Sequence, residues 1–215
     1  HTSSSGYTNG NNMTLINNVT LKPYRCPSST LPAFYVVQNN TNQMYTSYVG
    51  VSGSSLDPSS SGGNGVVSGS GFLFPNSKVT LTAVTDGTSS TIMVGEQSDF
   101  LRDTGTGRFV VTSQGPHGWT MGCTSDSRLP PAWQNGGDNR PFNCTTTLYP
   151  INARVNGQTG TGGNTGANIP FLSPHTGGAN FVFGDGAVRF LTDTLPLVTL
   201  QRLSSGNDGV VANVP

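Results

Sequence analysis

The stretch NFVFGDGAVRFL at residues 180–191 carries the sharpest fold signal in the sequence. Asp185-Gly186 separates two apolar runs, and this predicts a tight hairpin because a type I′ turn needs positive φ at both central residues. A two-residue loop would place four apolar side chains on one face, in the pairs Phe183–Val188 and Phe181–Phe190. We therefore predict a half-buried antiparallel hairpin whose phenylalanines face inward.

A short amphipathic helix is predicted after this hairpin. Asp193 or Thr194 can cap it, and Pro196 fits its first turn. Gly206 can end it. Its apolar side, which we expect to pack under the hairpin, comprises Leu197, Val198, Leu200 and Leu203.

Earlier apolar runs are short and rich in β-branched and aromatic residues, which favours strands. The candidates are residues 34–37, 45–49, 91–96 and 108–112, with a strand or short helix at 79–84. Turns are expected at residues 39–42 and 86–87, and mainly loop at 115–166. The predicted fold class is mainly β with minor α (α+β), with an antiparallel sheet, a C-terminal hairpin and a short helix.

The chain length fits a single loop-rich domain over residues 1–215. Residues 1–20 are polar and predict a poorly anchored start with a short helix or strand. Residues 52–71 are dominated by Ser and Gly, which predicts a long, exposed and flexible loop.

Charged residues make up only 9% of the chain, and ten basic residues balance ten acidic ones. Nucleic-acid binding needs clustered Lys and Arg, so we expect no nucleic-acid partner. No run approaches the ~20 apolar residues that span a bilayer, and no secretory leader pattern is present. We therefore expect no membrane contact from these residues.

Three cysteines are present, at positions 26, 123 and 144. Cys123 and Cys144 flank a loop-rich stretch, and a disulfide between them would stabilise the fold by about 3 kcal/mol on the chain-entropy estimate. The alternative is three isolated thiols. If the disulfide forms, Cys26 is left over, either as a buried small apolar residue or as an intermolecular partner. No CxxC or Cys/His spacing indicates zinc, and no metal site is predicted.

Four Asn-x-Ser/Thr sequences are candidates for glycosylation, at Asn12, Asn18, Asn39 and Asn143. Several arise by chance in a chain so rich in Asn and Thr. They are compatible with an exported surface.

The sequence contains no recognisable catalytic constellation. No nucleophile-elbow motif surrounds any serine, and the only glutamate is Glu96. A strand after residue 180 would carry Asp185 away from His175, so we expect Asp185 to shape the turn and not to pair with the histidine. A hydrolase would require Glu96 or His117 to meet a second acid or base. We therefore predict that the chain is not an enzyme.

Calcium is the one metal left open, because it takes carboxylate and carbonyl oxygens from irregular loops. Asp185, Asp193 and Asp208 could serve only if the fold gathers them. No EF-hand pattern is present, and otherwise no cofactor is expected.

Two stretches carry a family resemblance: residues 86–96, DGTSSTIMVGE, and residues 173–190, SPHTGGANFVFGDGAVRF. They are similar to the prepilin-type family marked by a His, nine residues and Asp-Gly, also called the domain of unknown function 1559 family. Cys26-Pro27-Ser28 and Tyr48-Val49-Gly50 resemble further motifs of that family. The matching residues of interest are Cys26, Asp86, Gly87, Glu96, His175, Asp185 and Gly186.

The resemblance implies a pilin-like globular head that other family members carry on a long apolar N-terminal helix. We expect this chain to be such a head without that helix. Ser29 stands where the family usually has Asp, and Ser90 where Asn is common, so any role of those family residues is in doubt here.

The expected function is that of a structural subunit or displayed head domain of an extracellular pilus-like or pseudopilus-like filament. Its expected partners are other copies or related pilin-like subunits, and its expected location is extracellular or at the cell surface. The alternative is a carbohydrate-binding or adhesive module that stacks glycans on Trp119, Trp133 and Tyr149. The other interpretation, which we favour, is that these aromatic residues anchor the surrounding loops.

Overall fold

The structure is a computed structural model. It describes residues 10–37, 40–62, 65–75, 77–102, 108–109, 119–120, 141–154, 157–162 and 166–213. Within these residues the fold is mainly β with two short α-helices, as predicted. None of the helices in these ranges is long and apolar enough to cross a membrane.

The regular elements are short and follow one another closely. The helices are α1 (Gly10–Ile16) and α2 (Leu197–Leu203), with single 3₁₀ turns at Lys22–Tyr24, Leu81–Ala83 and Thr88–Ser90. The strands are β1 (Phe34–Val37), β2 (Thr41–Met44), β3 (Tyr48–Ser54), β4 (Ser60–Gly62), β5 (Gly65–Val67), β6 (Ile92–Glu96), β7 (Leu101–Arg102), β8 (Arg108–Phe109), β9 (Cys144–Thr147), β10 (Gly178–Phe183) and β11 (Val188–Thr192).

A five-stranded sheet in the order β11-β10-β6-β3-β9 forms the centre of the molecule. Its pairs are antiparallel except for β3 and β9, which run parallel. The sheet is therefore mixed, whereas the sequence predicted an antiparallel one. The difference arises from β9, whose four buried residues lie in the stretch that was predicted to be mainly loop.

The C-terminal hairpin is present, but its predicted register is wrong. Phe181 pairs with Arg189, and Val182 pairs with Val188. The amide of Phe183 donates to the carbonyl of Ala187 at 2.9 Å, so the loop has three residues, 184–186. The amide of Gly186 donates to the carbonyl of Phe183 at 2.9 Å, and Gly186 has a φ of 85°. These are the features of a turn closed by a left-handed residue, which an Asp-Gly pair also suits.

In the observed register, the apolar side chains of β10 and those of β11 lie on different faces of the hairpin. Phe181 and Phe183 are buried on the inner face, as predicted, whereas Phe190 is 46% exposed and Val188 is 68% exposed on the outer face. Arg189 lies on the inner side at the sheet margin, with its guanidinium 4.6 Å from the centroid of the Phe183 ring.

The main core covers the inner face of the central sheet. Phe171 and Phe181 meet edge to face with ring centroids 4.9 Å apart, an arrangement favoured by the aromatic quadrupole. The buried cluster comprises Val49, Val51, Ile92, Ile151, Phe171, Ala179, Phe181, Phe183, Leu191, Leu195, Leu200, Leu203 and Ala212.

Helix α2 packs against this core, as predicted, through Leu200 and Leu203. Its start differs from the prediction. Pro196 occupies the N-cap position with no side-chain cap, so neither Asp193 nor Thr194 caps the helix. Val198, predicted to be on the apolar side, is exposed.

Residues 52–71 are not one exposed loop. Strand β3 continues to Ser54, and β4 and β5 form an antiparallel hairpin. Four serines of this segment, Ser52, Ser54, Ser68 and Ser70, are buried. Ser52 Oγ lies 2.8 Å from Thr146 Oγ1, and Ser68 Oγ donates to the carbonyl of Asp57 at 2.6 Å. Small polar side chains thus fill a packed region between chain segments.

The N-terminal segment is better anchored than predicted from residue 10 onward. Met13 of α1 is buried. The amide of Asn18 donates to the carbonyl of Asn42 at 2.9 Å, which ties the end of the segment to β2. Strands β1 and β2 pair antiparallel, so the chain reverses between residues 37 and 41, whereas residues 41–42 of the predicted turn belong to β2. The predicted 45–49 strand is wrong at residues 45–47, which connect β2 to β3. Of the predicted 79–84 element, residues 81–83 form a 3₁₀ turn. Of the predicted 108–112 strand, residues 108–109 form β8, and residues 110–112 lie outside the described residues.

Candidate functional site

Three residues from three distant motifs meet beside the outer face of the central sheet. Cys26 Sγ lies 3.5 Å from His175 Nε2, and the same nitrogen lies 3.6 Å from Glu96 Oε1. In the described part of the chain, these side chains form the one group of three or more His, Cys, Asp or Glu residues able to hold a metal ion. We call it the Cys–Glu–His cluster.

A tight turn presents Cys26. The amide of Ser29 donates to the carbonyl of Cys26 at 3.0 Å, and the intervening Pro27 suits the second position of such a turn. The guanidinium of Arg25 donates to the carbonyls of Pro32 at 2.9 Å and Tyr45 at 3.2 Å. Arg25 therefore holds both ends of the loop that carries the cysteine.

Ser29 fixes this loop to the end of β6. Its Oγ donates to the carbonyl of Ser98 at 2.9 Å and accepts from the amide of Leu31 at 3.3 Å. The second bond closes a local side-chain turn of the kind that Asp also makes. The serine thus supplies the turn-forming acceptor in this chain.

Glu96 is the last residue of β6 and is 0% exposed. Ser98 Oγ donates to its Oε1 at 2.5 Å. The Asn180 amide and Nδ2 both donate to Oε2, at 3.1 and 3.3 Å. A buried carboxylate needs such donors because desolvation disfavours its charge. The carboxyl group is thereby held with one oxygen directed at His175.

His175 reaches the cluster from the loop before β10. Its amide donates to Ser173 Oγ at 3.1 Å, and its side chain is 33% exposed. Gly177 follows with a φ of 81°, a conformation that glycine adopts without strain. At Gly178 an added Cβ would lie 2.1 Å from the carbonyl oxygen of Leu191. The two glycines therefore allow the loop to turn directly into β10.

Burial and charge influence two ionisable groups here. Burial raises the pKa of the Cys26 thiol, and the negative charge of Glu96 adds to this rise, while a backbone hydrogen bond at Ser28 opposes it. Burial also raises the pKa of Tyr48, with smaller contributions from Cys26 and Glu96. Tyr48 pairs with Glu96 across β3 and β6.

The geometry of the cluster fits three ligand atoms that converge on one point. It fits a proton relay less well. In a nucleophilic triad the thiol and the acid contact opposite ring nitrogens of the histidine. Here Cys26 and Glu96 both approach Nε2. Glu96 does meet a second titratable group, as a hydrolase would require, but not in the order that activates a nucleophile. His117 lies outside the described residues.

The two Asp-Gly pairs of the motifs have other roles. Asp86 Oδ2 accepts from the amide of Asp208 at 2.7 Å, and its Oδ1 accepts from that of Gly209 at 3.1 Å, so this carboxylate holds the C-terminal tail. Asp185 Oδ1 accepts from the amide of Ala187 at 2.9 Å. Asp185 therefore shapes its turn, while His175 contacts Cys26 and Glu96.

The aspartates considered for calcium are not gathered. Asp185, Asp193 and Asp208 belong to no common ligand group among the residues described. Burial raises the pKa of Asp208, and the charge of Asp86 adds to the rise, but these two carboxylates alone do not form a three-ligand site.

The predicted Cys123–Cys144 disulfide is not supported. Cys144 is a buried thiol in β9, and Cys123 lies outside the described residues. Cys26 is likewise a buried thiol, which agrees with the first of its two predicted states.

The glycosylation candidates stay predictions. Asn18 is exposed and Asn12 and Asn143 are partly exposed, while Asn39 lies outside the described residues. Asn18 and Asn143 both have positive φ, at 58° and 61°, which asparagine tolerates better than most residues.

Two of the aromatic residues proposed for glycan stacking make contacts within the protein. Trp119 stacks on Tyr24 with ring centroids 6.1 Å apart. The hydroxyl of Tyr149 donates to the carbonyl of Thr159 at 2.7 Å. Trp133 lies outside the described residues. Both described residues thus contact other segments of the protein.

Sequence reasoning identified each member of the Cys–Glu–His cluster as a motif residue but did not place them together. Cys26 and His175 are 149 residues apart, so no local spacing connects them. The available signal was that each of three separate motif stretches contributed one potential metal ligand.

The fold and the cluster together define a mainly β domain whose motif residues meet on one side of a mixed sheet. Residues 1–197 match the model of the family described as a protein of unknown function (DUF1559), and the chain belongs to this family. The match confirms the resemblance drawn from the motifs. No curated protein and no solved structure gives a significant match to the chain.

Proposed function

We propose that this protein is a non-enzymatic structural subunit, displayed outside the cell as the head domain of a pilus-like or pseudopilus-like filament. Family membership and the prepilin-type motifs support this role. In that role it associates with other copies of itself or with related subunits.

The single observation that carries the assembly role is an apolar row, exposed among the described residues, on the β11 side of the outer face of the central sheet. Val188 pairs with Val182 and Val182 with Val94, so these three side chains form an apolar row across β11, β10 and β6. Phe190 extends the apolar surface along β11. Exposed apolar patches of this kind are typical of protein contacts.

The charge balance of the chain favours a second copy of the same chain as the partner that covers the apolar row. The chain has a formal net charge of zero and only 9% charged residues. Identical copies therefore approach with little electrostatic repulsion, and proteins near zero net charge associate readily. Strand β11 is also at the margin of the central sheet.

Electron microscopy of the native protein, isolated from its own cells, tests the filament role. We expect it in fibres or bound to a secretion machine. Native protein that is always monomeric and never associated with either would contradict the proposal.

A matched pair of variants tests the apolar row. Val188→Asp places a charge at a 68% exposed valine of the row, and Leu81→Asp does the same at a 65% exposed leucine in a separate 3₁₀ turn. We expect Val188→Asp to reduce self-association by ~10-fold or more, measured by analytical ultracentrifugation, since an interface charge must be desolvated. Leu81→Asp should associate like the wild type. Equal effects of the two changes would assign the association to another surface.

A further inference from the structure

We propose that the Cys–Glu–His cluster is a binding site for a zinc-class divalent transition-metal ion. Cys26, Glu96 and His175 supply one sulfur, one oxygen and one nitrogen donor, which together suit this class of ion. This site is independent of the proposed filament role.

The distances fit a tetrahedral site. Sulfur at about 2.3 Å and nitrogen at about 2.0–2.1 Å from a tetrahedral Zn²⁺ lie about 3.5 Å from each other. Cys26 Sγ and His175 Nε2 are 3.5 Å apart, and His175 Nε2 and Glu96 Oε1 are 3.6 Å apart. The three donor atoms all lie within 4.8 Å of one another, so small side-chain shifts bring all three within bonding distance of one ion.

The charges also fit a divalent cation. Glu96 is 0% exposed and Cys26 is nearly so. A thiolate and a carboxylate carry two negative charges, and a neutral imidazole adds none. A divalent ion would therefore leave the buried site with a net charge of zero, which avoids the large penalty for burying uncompensated charge.

The carboxylate has the outer hydrogen bonds that accompany metal ligands. Ser98 holds one oxygen of Glu96, and Asn180 holds the other through two donors. Such partners fix the orientation of a ligating group and raise metal affinity. They also leave the Oε1 atom directed at the histidine.

The partly exposed histidine suggests how the ion enters. Its side chain is 33% exposed, whereas the other two ligands are buried. An ion would thus reach the cluster from the His175 side, and a fourth donor would come from solvent on that side. Sites with three protein ligands and one open position are common for zinc.

The three donor atoms favour a zinc-class ion over calcium and magnesium. Both of those ions prefer all-oxygen coordination, whereas two of the three donors here are sulfur and nitrogen. Calcium should accordingly compete poorly at this site.

Cobalt titration tests the proposal directly. The full chain is treated with a chelator under reducing conditions and titrated with Co²⁺, then with Zn²⁺. We expect one equivalent of Co²⁺ to bind with a thiolate-to-cobalt absorption band and the intense visible bands of four-coordinate cobalt. Zn²⁺ should bleach both, and excess Ca²⁺ should not. Wild-type protein that binds no stoichiometric Co²⁺ or Zn²⁺, or binds Co²⁺ without the thiolate band, would overturn the proposal.

Single-ligand variants locate the ion. Cys26→Ser should lose the thiolate band, while Cys144→Ser, at the other buried described cysteine, should keep it. His175→Gln should weaken Zn²⁺ binding by more than ~100-fold, since loss of outer partners alone costs ~10–100-fold. Because His175 is partly exposed, this variant should retain the circular dichroism spectrum of the metal-free wild type even if Cys26→Ser fails to fold. Unchanged affinity in His175→Gln would reject the site.

Ser98→Ala tests the hydrogen bond by which the Ser98 hydroxyl supports Glu96. It removes the hydroxyl that donates to Glu96 Oε1 at 2.5 Å but leaves all three ligands in place. We expect ~10-fold weaker Zn²⁺ binding with the cobalt bands retained. Thr80→Ala removes an exposed hydroxyl in a separate turn and should bind like the wild type. Equal affinities of Ser98→Ala and the wild type would contradict a role for the Ser98 hydroxyl in orienting a metal-bound Glu96.

Discussion

At the scale of single residues, the glycine before Glu96 shows how the motif serves both the core and the cluster. A Cβ at Gly95 would lie 2.3 Å from Phe171 Cε1 and 3.0 Å from Phe181 Cε1. Both rings are buried in the core and have little room to move. The missing side chain therefore lets the aromatic core pack against β6, whose next residue enters the cluster on the opposite face.

Gly95→Ala should consequently destabilise the protein. We expect a loss of ~1–3 kcal/mol in the free energy of unfolding, the usual cost of overpacking a core. Urea denaturation followed by circular dichroism measures it. Gly10→Ala is the control, because nothing lies within 4 Å of a Cβ at that position. If the two variants are equally stable, the contact with Phe171 does not constrain β6.

Individual site residues could be chosen from the sequence, but their contacts could not. Cys26, Glu96 and His175 each belong to a recognisable motif, yet they meet only because the Cys26 loop folds over the end of β6. That arrangement depends on Ser29, whose hydroxyl donates to the backbone carbonyl of Ser98 at 2.9 Å. Hydrogen bonds between distant polar residues leave no periodic pattern in a sequence.

At the scale of elements, the C-terminal hairpin shows that its motif predicts the hairpin but not the register of the two strands. Asp185-Gly186 indicated a hairpin, and the structure contains one. The pair suits both a two-residue and a three-residue loop, so it could not fix the register. The prediction that all four apolar side chains share one face was wrong because Arg189 can lie on the inner side. Its guanidinium stacks over the Phe183 ring, and its charge is not buried.

Gly186→Ala and Gly186→Asn together test the turn. Gly186 has a φ of 85°, and a Cβ at this position would meet only open space, so backbone strain alone opposes substitution. We expect Ala to cost ~1 kcal/mol in unfolding free energy, and Asn to cost less because it tolerates left-handed backbone better. Thermal unfolding gives the comparison. An alanine variant as stable as the asparagine variant would mean that the turn relaxes.

The prediction of a flexible loop at residues 52–71 was wrong for a different physical reason. Its composition resembles that of a flexible linker, but Ser52, Ser54, Ser68 and Ser70 are buried. Composition reports what a segment could do in water, whereas here neighbouring strands supply hydrogen-bond partners for the hydroxyls. Tertiary contacts of this kind decide whether a polar run becomes a loop or a packed hairpin.

At the scale of the whole molecule, one ion pair ties together the segments that carry the cluster. Arg154 pairs with Asp99, which follows β6, and also donates to the carbonyl of Ser173 at 2.7 Å, just before His175. Thr30, from the loop of Cys26, donates to the same aspartate. The three ligand-bearing segments are therefore joined a second time, outside the cluster.

This junction should make stability fall in acid. Burial by itself would raise the pKa of Asp99, but hydrogen bonds from Thr30, the amide of Phe100 and Arg154, together with the charge of Arg154, lower it overall. A carboxyl group with a lowered folded-state pKa stabilises the fold above its unfolded pKa of about 3.9. That contribution is lost as the pH falls through the folded-state value, so the window lies below about pH 4.

Asp99→Asn therefore has two expected effects. At pH 7 it should lower the unfolding free energy by ~1–2 kcal/mol, through the loss of charge-assisted hydrogen bonds. Between about pH 4 and pH 2 its melting temperature should fall less steeply than that of the wild type, because the titrating group is gone. Asp193→Asn, at an exposed carboxylate without these three partners, should retain the wild-type acid profile. Parallel acid profiles for wild type and Asp99→Asn would mean that the segments are held together by their packing and backbone hydrogen bonds, and that the Asp99–Arg154 pair contributes no acid-sensitive stability.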